Sequence, residues 1–165
     1  MSLMADLKVV ARTDYRPEGV YTYAIEEYAQ IITDIEPLLI RHHAELAAYS
    51  DIPLDPDYNF YERANKMGFL RIYSARKDGE LIGYALFTIV RRHPHYAISF
   101  AVSDIVLVLP EHRTFKVGTG LFDLIEADLV GFVVSISTKN AHPELQMLAL
   151  ARGYEPISTD YCKRL

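Results

Sequence analysis

The chain has 165 residues, half of them apolar and 24% charged, with a formal net charge of −5. That is the size and balance of one globular domain with a real core, residues 1–165. It is too acidic for non-specific nucleic-acid binding, which rests on lysine and arginine neutralising phosphates.

Residues 1–19 form an N-terminal extension, in which 8–12 reads as an added strand or a loose arm. Residues 20–26 alternate as a strand. From about 29 to 49, Ile32, Ile35, Leu39 and Leu46 mark one helical face, with Thr33 or Asp34 as cap and Pro37 in the first turn. A proline-punctuated loop at 52–57 precedes a short helix at 58–67. Residues 70–76 and 81–91 are strands joined at Lys77-Asp78-Gly79, where Asp-Gly signals a hairpin. His93-Pro94-His95 turns the chain, and 98–109 returns as a third strand of this central group. Then come a helix at 117–130, a short strand at 132–137 and a helix at 143–152 that Gly153 closes. A last strand is expected at 154–163, with Cys162 buried in it.

The chemistry concentrates in 103–122, Ser-Asp-Ile-Val-Leu-Val-Leu-Pro-Glu-His-Arg-Thr-Phe-Lys-Val-Gly-Thr-Gly-Leu-Phe. An apolar β-branched run ends at Pro110, a basic glycine-containing loop follows, and a helix begins. A strand feeding a loop and a helix N-terminus aims free N–H groups and a positive dipole end at one point, an arrangement that binds phosphate. The dinucleotide fingerprint is excluded, since Gly118 and Gly120 have no third glycine three residues on. Walker A is excluded because Lys116 precedes the glycine.

The segment resembles the acyl-CoA motif of the GCN5-related N-acetyltransferases (GNAT), an apolar strand followed by Arg-x-x-Gly/Ala-x-Gly and a helix. Arg113 matches the first position and Gly118 the last, with Lys116 where most members have glycine. A subgroup common in bacteriophage genomes carries a basic residue there. Residues 52–57, 79–85, 153–156 and 161–165 resemble its early loop, central hairpin strand and C-terminus. The resemblance implies an α/β (α+β) GNAT fold, a mixed central sheet of six to seven strands with helices on both faces. It also implies acetyl transfer from acetyl-CoA to a primary amine of a small molecule or a protein.

By that resemblance, free backbone groups of Val106, Leu107 and Val108 bind the pantetheine arm and the thioester carbonyl. The loop Arg113, Thr114, Phe115, Lys116, Val117, Gly118 and Thr119 cradles the pyrophosphate, and Gly118 lets backbone approach it without a Cβ. Lys116 adds charge toward the phosphates, and Asn140 matches a cofactor-contacting position. Amines near pKa 10 must lose a proton before attack, and the resemblance places the base at Asp104. Period-two alternation puts Asp104 on the face of Val106 and Val108. Glu111 and His112 are the runners-up beside the proline turn, where they face solvent. The developing oxyanion needs preorganised donors, expected near Val106 or Leu107. The family's usual acid is a tyrosine, and its position here is Ala149; Tyr154 or Tyr161 could substitute, or the thiolate leaves unaided, since its conjugate acid has a pKa near 8.5. Ala149 leaves a rival open, a GNAT-fold module that binds acyl-CoA or a protein partner without catalysis.

His42 and His43 are adjacent on one helix and cannot face one ligand site, and His93-x-His95 has no second pair at metal spacing. No metal is expected. No apolar run nears the roughly 20 residues of a membrane helix, no secretory h-region opens the chain, and the single cysteine suits a reducing compartment. A cytoplasmic protein is expected, with neither nucleic acid nor membrane as partner. The twelve tyrosines and no tryptophan fit an aromatic acceptor pocket, a packed core or a homodimer interface alike.

Overall fold

The computed structural model describes residues 12–47, 49, 51–139 and 143–164. Its centre is the hairpin of β3 (Leu70–Lys77) and β4 (Glu80–Val90). Asp78 and Gly79 join these strands with φ of 50° and 89°, the left-handed pair that a two-residue hairpin turn demands. The Asp78 carboxylate also accepts the Val20 amide at 2.9 Å, which ties the turn to β2 (Gly19–Ile25). Outside β2 lies β1 (Arg12–Arg16), paired antiparallel to it. This strand lies at 12–16, C-terminal to the expected 8–12, of which residues 8–11 fall outside the described part.

Six strands run in the order β1-β2-β3-β4-β5-β6. Neighbours are antiparallel, except that β5 (Phe100–Val108) and β6 (Val133–Ser135) are parallel. On one face, α1 (Tyr28–Leu46) and α2 (Tyr58–Lys66) cover a core that includes Ile31, Ile35, Ile72, Tyr84 and Leu107. On the other, α3 (Phe115–Asp128) packs over Tyr23, Tyr73, Phe87 and Ala101. The last helix is α4 (Pro143–Ala151). With helices on both faces, nearly every residue of β4 is buried.

Two expectations are corrected. The first helix starts at Tyr28, capped at Glu27 instead of Thr33 or Asp34. Glu27 and Gln30 form a capping box, in which the Gln30 side chain accepts the Glu27 amide at 3.4 Å, and a tertiary partner reinforces it. Asn65 of α2 accepts the Tyr28 amide at 3.3 Å and donates to the Glu27 carboxylate at 2.5 Å. Pro37 is thus interior, and burial of Ile31, Ile35 and Leu38 holds the helix across the bond that proline cannot make. The last strand, 154–163, does not form: 154–164 carries no regular element. Tyr154 spends its amide closing α4 on the Ala149 carbonyl at 3.1 Å, Pro156 has no amide to donate, and β6 offers an edge of three residues. Cys162 is accordingly exposed, not buried.

Candidate functional site

β5 and β6 begin side by side and then part. Phe100, Ala101 and Val102 pair with Val133, Val134 and Ser135. At the next residue the buried Ser103 hydroxyl accepts the Ser137 amide at 2.9 Å, so a side chain takes the place of the ladder. Beyond it, the β6-facing backbone groups of 104–108 have no strand partner among the described residues. A cavity of about 730 Å³ opens there, within the roughly 300–1,000 Å³ of ligand sites. Its walls include Asp104, Val106, Leu107 and Val108 of β5, Arg113 and Thr114 of the loop, Gly118 and Phe122 of α3, and Leu145 and Leu148 of α4.

The loop after β5 makes a single 3-10 turn, Pro110–His112, before α3. Thr114 caps α3, its hydroxyl accepting from the Val117 amide at 3.4 Å. The Arg113 and Thr114 amides bond back to Pro110 and His112, and those of Val117 and Gly118 bond to the Thr114 carbonyl. The helical amides of Phe115 and Lys116 remain, since a first turn has no preceding carbonyls to meet. Two N–H groups on a helix dipole, with the Thr114 hydroxyl in the wall, suit a phosphate. The Arg113 guanidinium does not point there freely; it donates to the Val108 carbonyl at 2.9 Å and pairs with Glu45 of α1 at 2.5 Å. Lys116 and Lys139 make no ion pair among the described residues, and Lys139 lines the cavity.

The remaining sequence-expected residues distribute unevenly. Val117 is buried in the core, and Thr119 carries a buried hydroxyl without a partner among the described residues. Neither these two nor Lys116 lines the cavity. Phe115 begins α3, but its side chain and the whole of Asn140 fall outside the described part. The two glycines of the loop differ in role. A Cβ on Gly118 would meet only the tip of Leu148, at 2.9 Å, whereas one on Gly120 would run into the Tyr23 ring at 2.3 Å. Gly120 serves packing of α3 on the sheet.

Asp104 requires a correction. Leu86 pairs with Ile105 and Phe87 with Ser103, so Asp104 is an extra residue opposite no partner. Such a bulge breaks the alternation of faces. Val106 and Val108 pack on the α3 side, while Asp104 reaches the α1–α2 side, where Tyr61 donates to its Oδ2 at 2.8 Å. Burial together with that bond holds the Tyr61 phenol well above its ordinary pKa. Glu111 is exposed and pairs with Arg41 at 3.0 Å. His112 is half-buried, and neither it nor Glu111 lines the cavity.

His42 does line it, which the sequence pattern alone did not suggest. Burial pulls its pKa down, against the opposing pull of Glu45 and Asp104. The signal lies in the spacing Ile31, Ile35, Leu38, His42, Glu45, which carries the buried stripe of α1 onto the cavity wall. His43 faces a different, second cavity, so the two histidines indeed do not share a site. Neither tyrosine suggested as acid reaches the cavity. Tyr154 stacks edge-on against Phe122 with a pKa pushed up to about 12, first by burial, and Tyr161 is 93% exposed. Ala149 is buried. Among the described residues, no cluster of metal-ligating side chains occurs and no helix is long and apolar enough to cross a membrane.

Comparison with known proteins agrees with this geometry. The sequence profile described as the acetyltransferase (GNAT) family matches residues 25–154. No curated protein matches in sequence. Among solved structures, a ribosomal-protein-alanine N-acetyltransferase from Brucella melitensis biovar Abortus 2308 superposes with a TM-score of 0.66 at 17% identity, over 88% of this chain and 99% of that one. An aminoglycoside acetyltransferase from an uncultured soil metagenomic sample, in complex with sisomicin, gives 0.69 at 11% identity over 88% and 96%. A predicted acetyltransferase from Clostridium acetobutylicum, with acetyl-CoA, gives 0.61 at 12% identity over 88% and 95%. At these identities the likeness is one of fold.

Proposed function

Because the chain belongs to the acetyltransferase (GNAT) family, we propose that it transfers an acetyl group from acetyl-CoA to a primary amine. The observation that carries this reading is the parting of β5 from β6 at Ser103, over a cavity that ends at the free amides of α3. The residues present fit the co-substrate. The Phe115 and Lys116 amides and the Thr114 hydroxyl would hold its phosphates, Lys116 and Lys139 would add charge, and the unpaired β5 backbone would bond its arm. Val106, Leu121 and Leu148 supply apolar wall. Acetyl-CoA contributes an activated thioester. The transfer makes an amide C–N bond and breaks the C–S bond; of the two protons the ammonium loses, one ends on the thiol and the other in solvent.

Asp104 takes the first proton, and the Tyr61 hydroxyl fixes the direction in which its Oδ2 points. His42, which burial favours in its neutral form, stands in the same wall as a second acceptor. No cavity-lining tyrosine serves as acid, and the thiolate leaves unaided, as a group with a pKa near 8.5 is able to do. The test is thiol release with an amine panel, run beside Asp104→Asn. Loss of the general base lowers kcat by roughly 10²–10⁴ while leaving acetyl-CoA affinity unchanged. An Asp104→Asn variant with wild-type kcat would remove Asp104 from the mechanism.

A further inference from the structure

A second cavity, of about 220 Å³, lies on the α1–α2 side of the sheet and is not used by the cofactor reading. Ile32 and Leu39 of α1 and Leu86 and Ile105 of the sheet give it aliphatic walls. Two tyrosines complete it. Tyr61 lines this cavity and donates to Asp104, which lines the larger one, and Ile105 borders both. Tyr28 also lines it, at 7% exposure, and its hydroxyl has no hydrogen-bond partner among the described residues. The rings of Tyr28 and Tyr61 stack with centroids 6.5 Å apart. Asp55 and His43 stand at the wall.

Resting on the acetyl-transfer reading, we propose that this cavity holds the body of the acceptor, and that the acceptor is a compact, largely apolar primary amine. The volume falls below the roughly 300 Å³ at which drug-sized ligand sites begin. It admits an arylalkyl or branched-alkyl group and not a multi-ring aminocyclitol. Aliphatic walls leave the extra amines and hydroxyls of polycations without partners, and buried polar groups without partners are costly. With the body seated against Ile105, the amine lies toward Asp104.

The experiment compares tyramine, 2-phenylethylamine, putrescine and kanamycin as acceptors in thiol release, with acetyl-CoA affinity measured separately by calorimetry. The expected result is kcat/KM for the two arylalkylamines about ten-fold or more above the polycations. Ile32→Trp, which fills the cavity, raises KM for tyramine about ten-fold with acetyl-CoA affinity unaltered. Equal or better turnover of putrescine or kanamycin, unaltered tyramine kinetics in Ile32→Trp, or no turnover of any amine by enzyme that binds acetyl-CoA each overturns the assignment. Failure to bind acetyl-CoA at all would instead sink the underlying reading.

Discussion

Gly120→Ala is the substitution whose cost follows most directly from the geometry. A Cβ built there lies 2.3, 2.6 and 2.8 Å from three atoms of the Tyr23 side chain. Carbon contacts are optimal at about 3.5–4.0 Å, so the ring or the helix must retreat by more than about 1 Å. Tyr23 is fully buried, and Arg16 donates to its hydroxyl at 3.4 Å, so the ring has no free direction in which to move. Alanine improves helix propensity by about 1 kcal/mol, but overpacking costs about 1–3 kcal/mol. Because the ring is fully buried and held, overpacking lies toward the upper end of that range and outweighs the propensity gain, and the variant loses up to about 2 kcal/mol. Urea denaturation would show this as a lower midpoint at unchanged slope, and thermal melting as a fall of about 2–4 °C per kcal/mol. Gly118→Ala is the control: its Cβ meets only the tip of the half-buried Leu148. Stability should hold or rise by up to about 1 kcal/mol, while acetyl-CoA binding weakens at the cavity wall. A Gly120→Ala variant as stable as the wild type would refute the packing role.

Two pH predictions follow from burial. Tyr23, Tyr28, Tyr61, Tyr73, Tyr84 and Tyr154 are all held above the ordinary phenol pKa, chiefly by desolvation. Their neutral forms stabilise the fold below about pH 10, and that stability is lost as pH rises through the raised values. Tyrosinate absorbance should therefore show a late, cooperative step coinciding with loss of circular dichroism; smooth titration of all twelve phenols in the folded protein would contradict it. His42 has the opposite sign. Its lowered pKa gives stability that is present above about pH 6.5 and lost as pH falls through the folded value. Denaturation midpoints of the wild type should drop more steeply than those of His42→Gln on acidification below about pH 6.5, and parallel curves would reject the assignment.

What the sequence reveals is mostly what local chemistry decides. Asp78-Gly79 announces its hairpin because few residue pairs accept two positive φ values. The strand, proline turn and loop before a helix at 103–118 are legible for the same local reason, and they form as β5, the 3-10 turn and α3. Tertiary decisions stay hidden. The Glu27–Gln30 capping box is a local signal at the start of α1, but Pro37 draws the expected cap to Thr33 or Asp34, as though proline had to begin the helix, and nothing local tells that Asn65 ties this start to α2. The bulge at Asp104 is set by pairing with Leu86 and Phe87 across β4, and it turns the carboxylate to the face opposite the one that alternation assigns. The last strand fails for want of a partner edge, which composition cannot report. His42 is passed over together with His43, because adjacent helical histidines share no ligand site, although its spacing from Leu38 places it on the stripe that reaches the cavity.

Calorimetric titration of acetyl-CoA into the purified protein, with Thr114→Ala and Asp104→Ala alongside, reaches the central claim most directly. The account predicts saturable binding of one molecule per chain. That binding should weaken when the Thr114 hydroxyl at the α3 N-terminus is removed and persist when Asp104 is removed. An absence of binding at millimolar acetyl-CoA would contradict it.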